Sequence, residues 1–198
     1  ISFSSSFYIM ACYDSYLTNG NFENIIGYNA VVPPHNKINS GNNDSFVSKF
    51  GLDGRLAYVD LYGYALNDFG DAVTTDYSRS IYLAGKSQNP NDNNFDGFVR
   101  RLGIYGSEFW TEDLDISGLD TNYALDIASN SRKSDAVYVI GTATGDFDSQ
   151  INNGLTDGFL TKLNVDSGTK QWTRFFGTDD QDIASKVAVR HISDSPGD

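Results

Sequence analysis

The sequence predicts an all-β fold of the β-propeller type, built from about three four-stranded antiparallel blades. The first observation is a seven-residue anchor that occurs three times: Asp, a small residue, Phe, an aliphatic residue, a variable residue, Lys or Arg, and a large apolar residue. The second is that the segments flanking this anchor repeat with it. The third is that no stretch shows the 3.6-residue period of a helix. The anchors start 52 and 61 residues apart, a spacing typical of propeller blades.

Each repeat contains four short apolar segments, named A to D in chain order and separated by Gly, Asn, Asp and Ser. Four strands per repeat predict antiparallel sheets arranged radially. Segment A occupies residues 68–73, 122–127 and 182–187; segment B occupies 7–11, 81–85 and 137–141; segment C, the anchor, occupies 44–50, 96–102 and 157–163; segment D carries Tyr58, Trp110 or Trp172.

The chain is therefore interpreted as a single repeat array rather than as two unlike domains. Because closed propellers have about four to eight blades, three are too few for a ring. Either further blades lie outside this sequence, which Ile1 in place of an initiator Met favours, or several chains complete one ring. The predicted units are blade 1 at about 1–67, blade 2 at about 68–120, blade 3 at about 121–181 and the start of a further blade at 182–198.

The anchor residues have structural interpretations. Strand residues alternate between faces, so Phe98, Arg100 and Leu102 are expected to point one way and Val99 and Arg101 the other. The basic residue of each anchor is expected to lay its aliphatic stem over the neighbouring blade, and the opening Asp to bond backbone amides in the preceding turn. The repeat positions interpreted in this way, with the aromatic residue of segment D, are Asp44, Asp96, Asp157, Lys49, Arg101, Lys162, Trp110 and Trp172.

Residues 16–43 are the one large departure from the repeat, and they are rich in turn formers. Long loops on a rigid scaffold often carry recognition. The alternative is a decorated surface loop with no partner. If this segment binds a partner, the candidate binding residues are Tyr16, Phe22, Tyr28 and His35.

The composition excludes several classes of partner. A net charge of −12 argues against binding nucleic acid or anionic membrane surfaces, and no stretch approaches the ~20 apolar residues of a membrane helix. Cys12 is the only cysteine, so no internal disulfide forms. Its thiol is expected to be buried and inert, with an intermolecular link as the alternative.

Calcium is the best cofactor candidate, because hard cations prefer clustered oxygen ligands on loops. The two candidate loops are residues 91–96 and 146–148, and neither contains the Asp-x-Asp-x-Asp-Gly pattern that identifies a calcium site. Enzymatic chemistry has less support, because His35 and His191 are the only histidines and no nucleophile-elbow motif accompanies them. The candidate metal ligands are Asp92, Asn94, Asp146 and Asp148.

The succession of segments resembles the SBBP-type β-propeller repeat, a family of mostly secreted proteins. That repeat looks like Asp-Tyr-Ala-x-x-Ile-Ala-Val, Val-Tyr-Val-Thr-Gly, Asp-Ala-Phe-Val-Ala-Lys-Leu and then a Trp strand. The third repeat, from Asn122 to Trp172, matches best, and the first lacks segment A. The resemblance covers about residues 6–190. It implies a propeller fold and a setting outside the cell, but no single activity.

These observations predict a non-catalytic structural or interaction scaffold, a component of an extracellular or cell-surface assembly. It is expected to bind protein partners or copies of itself through loops on one face of the propeller. The alternative is a carbohydrate-binding or carbohydrate-active propeller. The two differ in that an enzyme places two or three carboxylates around a pocket near the ring axis.

Overall fold

The computed structural model describes residues 6–13, 40–51, 54, 56–114, 120–129 and 135–190, and only the backbone of 6–13, 56 and 57. All regular structure in these residues is β, and they contain no helix. Three antiparallel sheets follow one another along the chain. The first contains β1 (Ser6–Tyr13), β2 (Asp44–Gly51) and β3 (Leu56–Tyr62). The middle sheet contains β4 (Asp68–Thr75), β5 (Ile81–Gln88), β6 (Phe95–Leu102) and β7 (Glu108–Asp113), and the third contains β8 (Asn122–Ser129), β9 (Ala136–Ala143), β10 (Asp157–Asn164) and β11 (Lys170–Phe176).

The predicted all-β class and the four-stranded antiparallel sheets are confirmed. Strands in each sheet pair in chain order, β1-β2-β3, β4-β5-β6-β7 and β8-β9-β10-β11. Segments A to D correspond in turn to these strands, and the three anchors form β2, β6 and β10. The first sheet therefore contains only segments B, C and D.

A bulge in each segment A strand explains the glycine that ends segment B. The register shifts between Gly70 and Ala72 where β4 pairs with β5, and at the equivalent place where β8 pairs with β9. A bulge bends its strand and leaves one residue unpaired. A Cβ added at Gly85 would collide with the Phe69 carbonyl oxygen, and one at Gly141 with that of Tyr123. Only glycine fits opposite these bulges.

The middle sheet is buried on both faces. One face contributes Ile81, Phe98 and Leu102 to a cluster with residues of the first sheet, including Val47 and Tyr62. The opposite face contributes to the cluster with the third sheet. Strand β4 lies against β1 and β2, and β8 lies against β4, β5 and β6, so each segment A strand packs on the sheet before it. The members of the second cluster are Ala72, Tyr82, Ala84, Val99, Leu114, Ala124, Ile127, Val137, Val139, Ala143, Phe147, Phe159, Leu163 and Val165.

The alternation predicted for the anchor is confirmed in β6. Phe98 and Leu102 belong to the cluster with the first sheet, whereas Val99 belongs to the cluster with the third. The Arg100 guanidinium lies 5.5 Å from the centre of the Tyr62 ring, in the first sheet.

Polar contacts between sheets repeat as well. The Arg101 guanidinium and the Trp110 indole N–H both donate to the Val165 carbonyl, at 2.7 and 2.9 Å, and thereby join the middle sheet to the third. Lys49, the equivalent of Arg101, donates to the Ile104 carbonyl at 3.5 Å and joins the first sheet to the middle one. In these two sheets, the recurrent basic residue therefore reaches a turn of the following sheet.

Residues 182–190 differ from the prediction of a fourth segment A strand. They start as β4 does, since the Asp182 amide donates to the Thr156 carbonyl as the Asp68 amide does to that of Asn43, each at 2.8 Å. They nevertheless form no ladder with any strand in the described part of the chain. The Val187 amide instead donates to the Asp126 carboxylate at 2.9 Å. A strand needs a neighbour to hydrogen-bond with, and within the described residues no strand forms a ladder with this segment.

Candidate functional site

A cleft of about 660 Å³ opens at one end of the stacked sheets. The connection from β3 to β4, the end of β5, the start of β6 and the end of β7 all reach this end, because neighbouring strands run in opposite directions. Its walls combine apolar, amide and carboxylate groups. The lining residues are Ser40, Gly63, Tyr64, Ala65, Leu66, Ser87, Gln88, Asn89, Pro90, Asp96 and Asp113.

Side-chain amides tie the walls of the cleft together. Asn67 accepts a hydrogen bond from Asn43 and donates one to Gln88, both at 2.6 Å. The β5–β6 turn is closed by the Asn94 amide, which donates to the Asp92 carboxylate at 2.8 Å. Asn93 takes a positive φ of 64°, a conformation that Asn tolerates better than most residues. The Asn-rich composition of this loop thus satisfies its own backbone groups.

Two carboxylates line the cleft directly. Asp96, the opening residue of the second anchor, accepts a hydrogen bond from the Asn89 side chain at 3.0 Å. Asp113 ends β7 and is exposed to solvent. The cleft therefore presents one carboxylate already held by a neighbouring amide and a second that faces solvent.

Two further carboxylates, Asp44 and Asp68, lie buried behind the wall, each 1% exposed. Asp44 Oδ2 accepts the Ser40 amide at 2.8 Å, and Asp68 Oδ2 accepts the Tyr64 amide at 2.7 Å. The Ser87 hydroxyl donates to Asp68 Oδ1. Asp44 Oδ1 has no hydrogen-bond partner in the described part of the chain. The two carboxylates are close, since a Cβ added at Gly63 would lie within 3.0 Å of both.

Arg100 is the cation of this region and is itself buried, 5% exposed. Its guanidinium contacts the Glu108 carboxylate at 2.9 Å and lies 5.5–5.7 Å from the ring centres of Tyr62, Tyr64 and Phe98. Guanidinium groups bind well to aromatic faces and to carboxylates at once. Arg100 therefore compensates buried negative charge while it supports the Tyr64 ring at the cleft wall.

Burial raises the pKa of both Asp44 and Asp68 above the ordinary value of 3.8. Hydrogen bonds to the carboxylates and the Arg100 charge oppose this effect, but desolvation is the largest cause. For Asp44, the neighbouring Asp68 charge raises the pKa further.

We expect stability to fall as pH rises through these two titrations. Each carboxyl binds its proton more tightly in the folded chain, so between the ordinary and the raised pKa the folded state holds more protons than the unfolded state. The stabilisation is complete below the ordinary pKa and is lost as pH rises through the raised one. Asp44→Asn keeps an oxygen acceptor for the Ser40 amide and removes one of these titrations. Urea unfolding from about pH 4 to about pH 7 should therefore show a smaller loss of stability in this variant than in the wild type.

The control for this measurement is Asp179→Asn, which changes an exposed carboxyl in a turn. It should leave the pH dependence as it is in the wild type. A slope in Asp44→Asn equal to that of the wild type would contradict the assignment.

The structure describes some of the residues that the sequence singled out and not others. Tyr16, Phe22, Tyr28 and His35 fall outside the described residues, as do the side chain of Cys12 and the whole of His191. Of the repeat positions, Asp96 lines the cleft, Asp44 lies behind it, and Asp157 takes the equivalent place in the third sheet, where it accepts the Asn153 amide at 3.0 Å. Lys162 lies 5.9 Å from the Tyr138 ring centre, and Trp172 contacts the same ring.

The candidate metal ligands make contacts within the protein. Asp146 accepts the Asn152 amide at 2.7 Å, and Asp148 pairs with Lys170 at 2.6 Å and accepts the Thr173 hydroxyl at 2.6 Å. Asp92 and Asn94 bond each other in the β5–β6 turn. Within the described ranges, no group of three His, Cys, Asp or Glu residues is placed to hold a metal ion. Calcium binding stays a prediction.

Tyr64, Arg100 and Asp113 were not predicted from the sequence to belong to a site. One signal for Arg100 was present in the anchor itself, at its variable position. The other two anchors have Ser48 and Thr161 there, both small and buried. Arg100 is therefore a buried charged residue at an anchor position that is small and uncharged in the other two repeats. Tyr64 and Asp113 lie on no repeated motif.

No protein-family model matches the chain, and no curated protein matches its sequence. The resemblance to the SBBP-type repeat therefore still rests on the residues that carry it. Across the described residues, no helix has the length and apolar character needed to cross a membrane.

Proposed function

We propose that this chain is part of a β-propeller and acts as a non-catalytic interaction module of an extracellular or cell-surface assembly. Its cleft binds a protein partner. The observation that carries the proposal is the position of the cleft, at the end of the sheets where the β3–β4 and β5–β6 connections meet. Loops held by a rigid stack of sheets are a common location for recognition sites.

Three features support the propeller. Successive antiparallel sheets pack face on face, each segment A strand lies on the preceding sheet, and basic residues connect each sheet to a turn of the next. Repetition of one packing step along a chain is how propeller blades are arranged. The extracellular setting is proposed from the resemblance to the secreted SBBP-type repeats.

The burial of the paired carboxylates supports a non-catalytic module. Asp44 and Asp68 lie close together at this end, and both are 1% exposed. General acid–base catalysis requires a carboxyl group within hydrogen-bond reach of the substrate. Neither of these carboxyl groups has that access.

Carbohydrate binding is the second candidate function, and one observation favours it. The Tyr64 ring is 50% exposed, in a cleft that also contains Gln88, Asn89 and the carboxylates of Asp96 and Asp113. An exposed aromatic face beside amide and carboxylate groups suits the apolar face and hydroxyl groups of a sugar ring.

The proposed function is tested with a matched pair of tyrosine variants. Tyr64→Ala removes the ring at the cleft, whereas Tyr77→Ala removes a tyrosine that is 72% exposed in the β4–β5 turn, at the opposite end of the sheets. Cross-linked capture from the cell-surface protein fraction should recover a partner with the wild type and Tyr77→Ala, and not with Tyr64→Ala. Identical capture by the two variants would place the interaction elsewhere. A glycan array measured in parallel for binding and cleavage would overturn the proposal if it showed cleavage.

A further inference from the structure

We propose that the occupant of the cleft is a basic side chain, Arg or Lys, from the protein partner. This inference rests on the proposed function and specifies the chemistry of the partner. It follows from three properties of the cleft, namely its charge, the shape of its walls and the cation that the protein already holds beside it.

The charge of the region favours a cation. Asp96 and Asp113 line the cleft, and Asp44 and Asp68 lie behind its wall. Arg100 is the cation among them, and its charge is already shared with Glu108. The whole chain carries a net charge of −12. The local field is therefore negative, which attracts a cationic group and repels an anionic one.

The walls suit a long side chain with a charged tip. Ala65, Leu66 and Pro90 provide apolar surface, and the Tyr64 ring provides an aromatic face. Lys and Arg cover apolar surface with their methylene stems and keep their charged groups in polar surroundings. The volume of about 660 Å³ accommodates one such side chain with its flanking backbone. A neutral sugar matches the aromatic wall and donates hydroxyl hydrogen bonds to the carboxylates, but it leaves their negative charge uncompensated.

Arg100 demonstrates this mode of binding within the molecule. Its guanidinium lies against Tyr64 and pairs with a carboxylate. Tyr64 is 50% exposed and lines the cleft. A second guanidinium from a partner would meet the same combination of ring and carboxylate, with Asp113 as the exposed counter-charge.

The experiment is a titration of the ¹⁵N-labelled whole chain, followed by NMR, with Nα-acetyl-arginine amide and with its neutral isostere Nα-acetyl-citrulline amide. The arginine probe should shift the amide signals of residues 63–66 and 87–89 with a Kd on the order of 1 mM. The citrulline probe should bind about tenfold more weakly, because it lacks the charge. Raising the salt concentration should weaken the arginine probe and not the citrulline probe.

Two aspartate variants test the counter-charge. Asp113→Asn should weaken the arginine probe about fivefold or more, whereas Asp179→Asn, in a turn at the same end of the third sheet, should leave it unchanged. Both variants should retain the dispersed spectrum of the folded chain. Equal binding of the arginine and citrulline probes would overturn the inference. It would also be overturned if methyl glycosides shifted the amide signals of residues 63–66 and 87–89 and the arginine probe did not.

The outcomes also separate this inference from the proposed function. If a partner is captured in a Tyr64-dependent way and the arginine probe does not bind, the interaction module is supported and the proposal of a basic side chain in the cleft is wrong. If no partner is captured and the arginine probe does not bind, both proposals are wrong.

Discussion

Arg100→Ala is expected to lower the free energy of unfolding by about 3–5 kcal/mol. The substitution leaves the buried carboxylates of Asp44 and Asp68 without their compensating cation and leaves Glu108 without its partner. Removing one member of a buried charge cluster has a large effect, because the remaining charges stay desolvated. In a chain of this length, the melting temperature should fall by about 10 °C.

Two comparisons test the electrostatic origin of this effect. Arg174→Ala removes an exposed arginine, and its effect should stay within about 0.5 kcal/mol. The loss in Arg100→Ala should also be smaller near pH 4 than at pH 7, because protonation of Asp44 and Asp68 removes the uncompensated charge. Equal losses at both pH values would indicate a packing effect and contradict the electrostatic origin.

Phe159→Ala is expected to cost about 3–5 kcal/mol. The ring is fully buried between the middle and third sheets, where it lies 5.1 Å from the centre of the Phe147 ring and 6.4 Å from that of Phe175. Removing it leaves a cavity in a cluster to which both sheets contribute. Urea unfolding measures the loss.

The matched control is Ile151→Ala, which shortens an apolar side chain that is 68% exposed in the connection before β10. Its effect should stay within about 0.5 kcal/mol. A loss in Phe159→Ala below about 1 kcal/mol would show that the third sheet does not depend on this cluster for its stability.

Much of the fold was predictable because it is encoded locally. The anchor beginning at Asp157 carries its own strand alternation, and its opening Asp bonds the turn that precedes it. Such features depend on residues a few positions apart, so a repeated pattern reveals them. The glycines at 85 and 141 were visible as repeats, whereas their reason, a bulge in the neighbouring strand, was visible only in the structure.

Other features depend on contacts that the local pattern does not contain. Asp182 begins the expected motif, but a strand also needs a neighbour to pair with, and pattern alone does not supply one. The Asn- and Asp-rich loops were interpreted as candidate metal ligands, and calcium binding stays a prediction. The pairing of Asp148 with Lys170, 22 residues further along the chain, was visible only in the structure.

The sequence by itself determined the all-β class of this protein, the succession of its strands along the chain and the alternation of the β6 anchor residues between two faces, because these follow from local pattern and its repetition. The tertiary structure alone decided where the cleft lies. Tyr64, Asn89 and Asp113 line the cleft together, although they come from the β3–β4 connection, the β5–β6 connection and the end of β7. Arg100 occupies the anchor position that is Ser48 in the first sheet and Thr161 in the third. Packing brings these residues together, and packing is a property of whole sheets that no local pattern records.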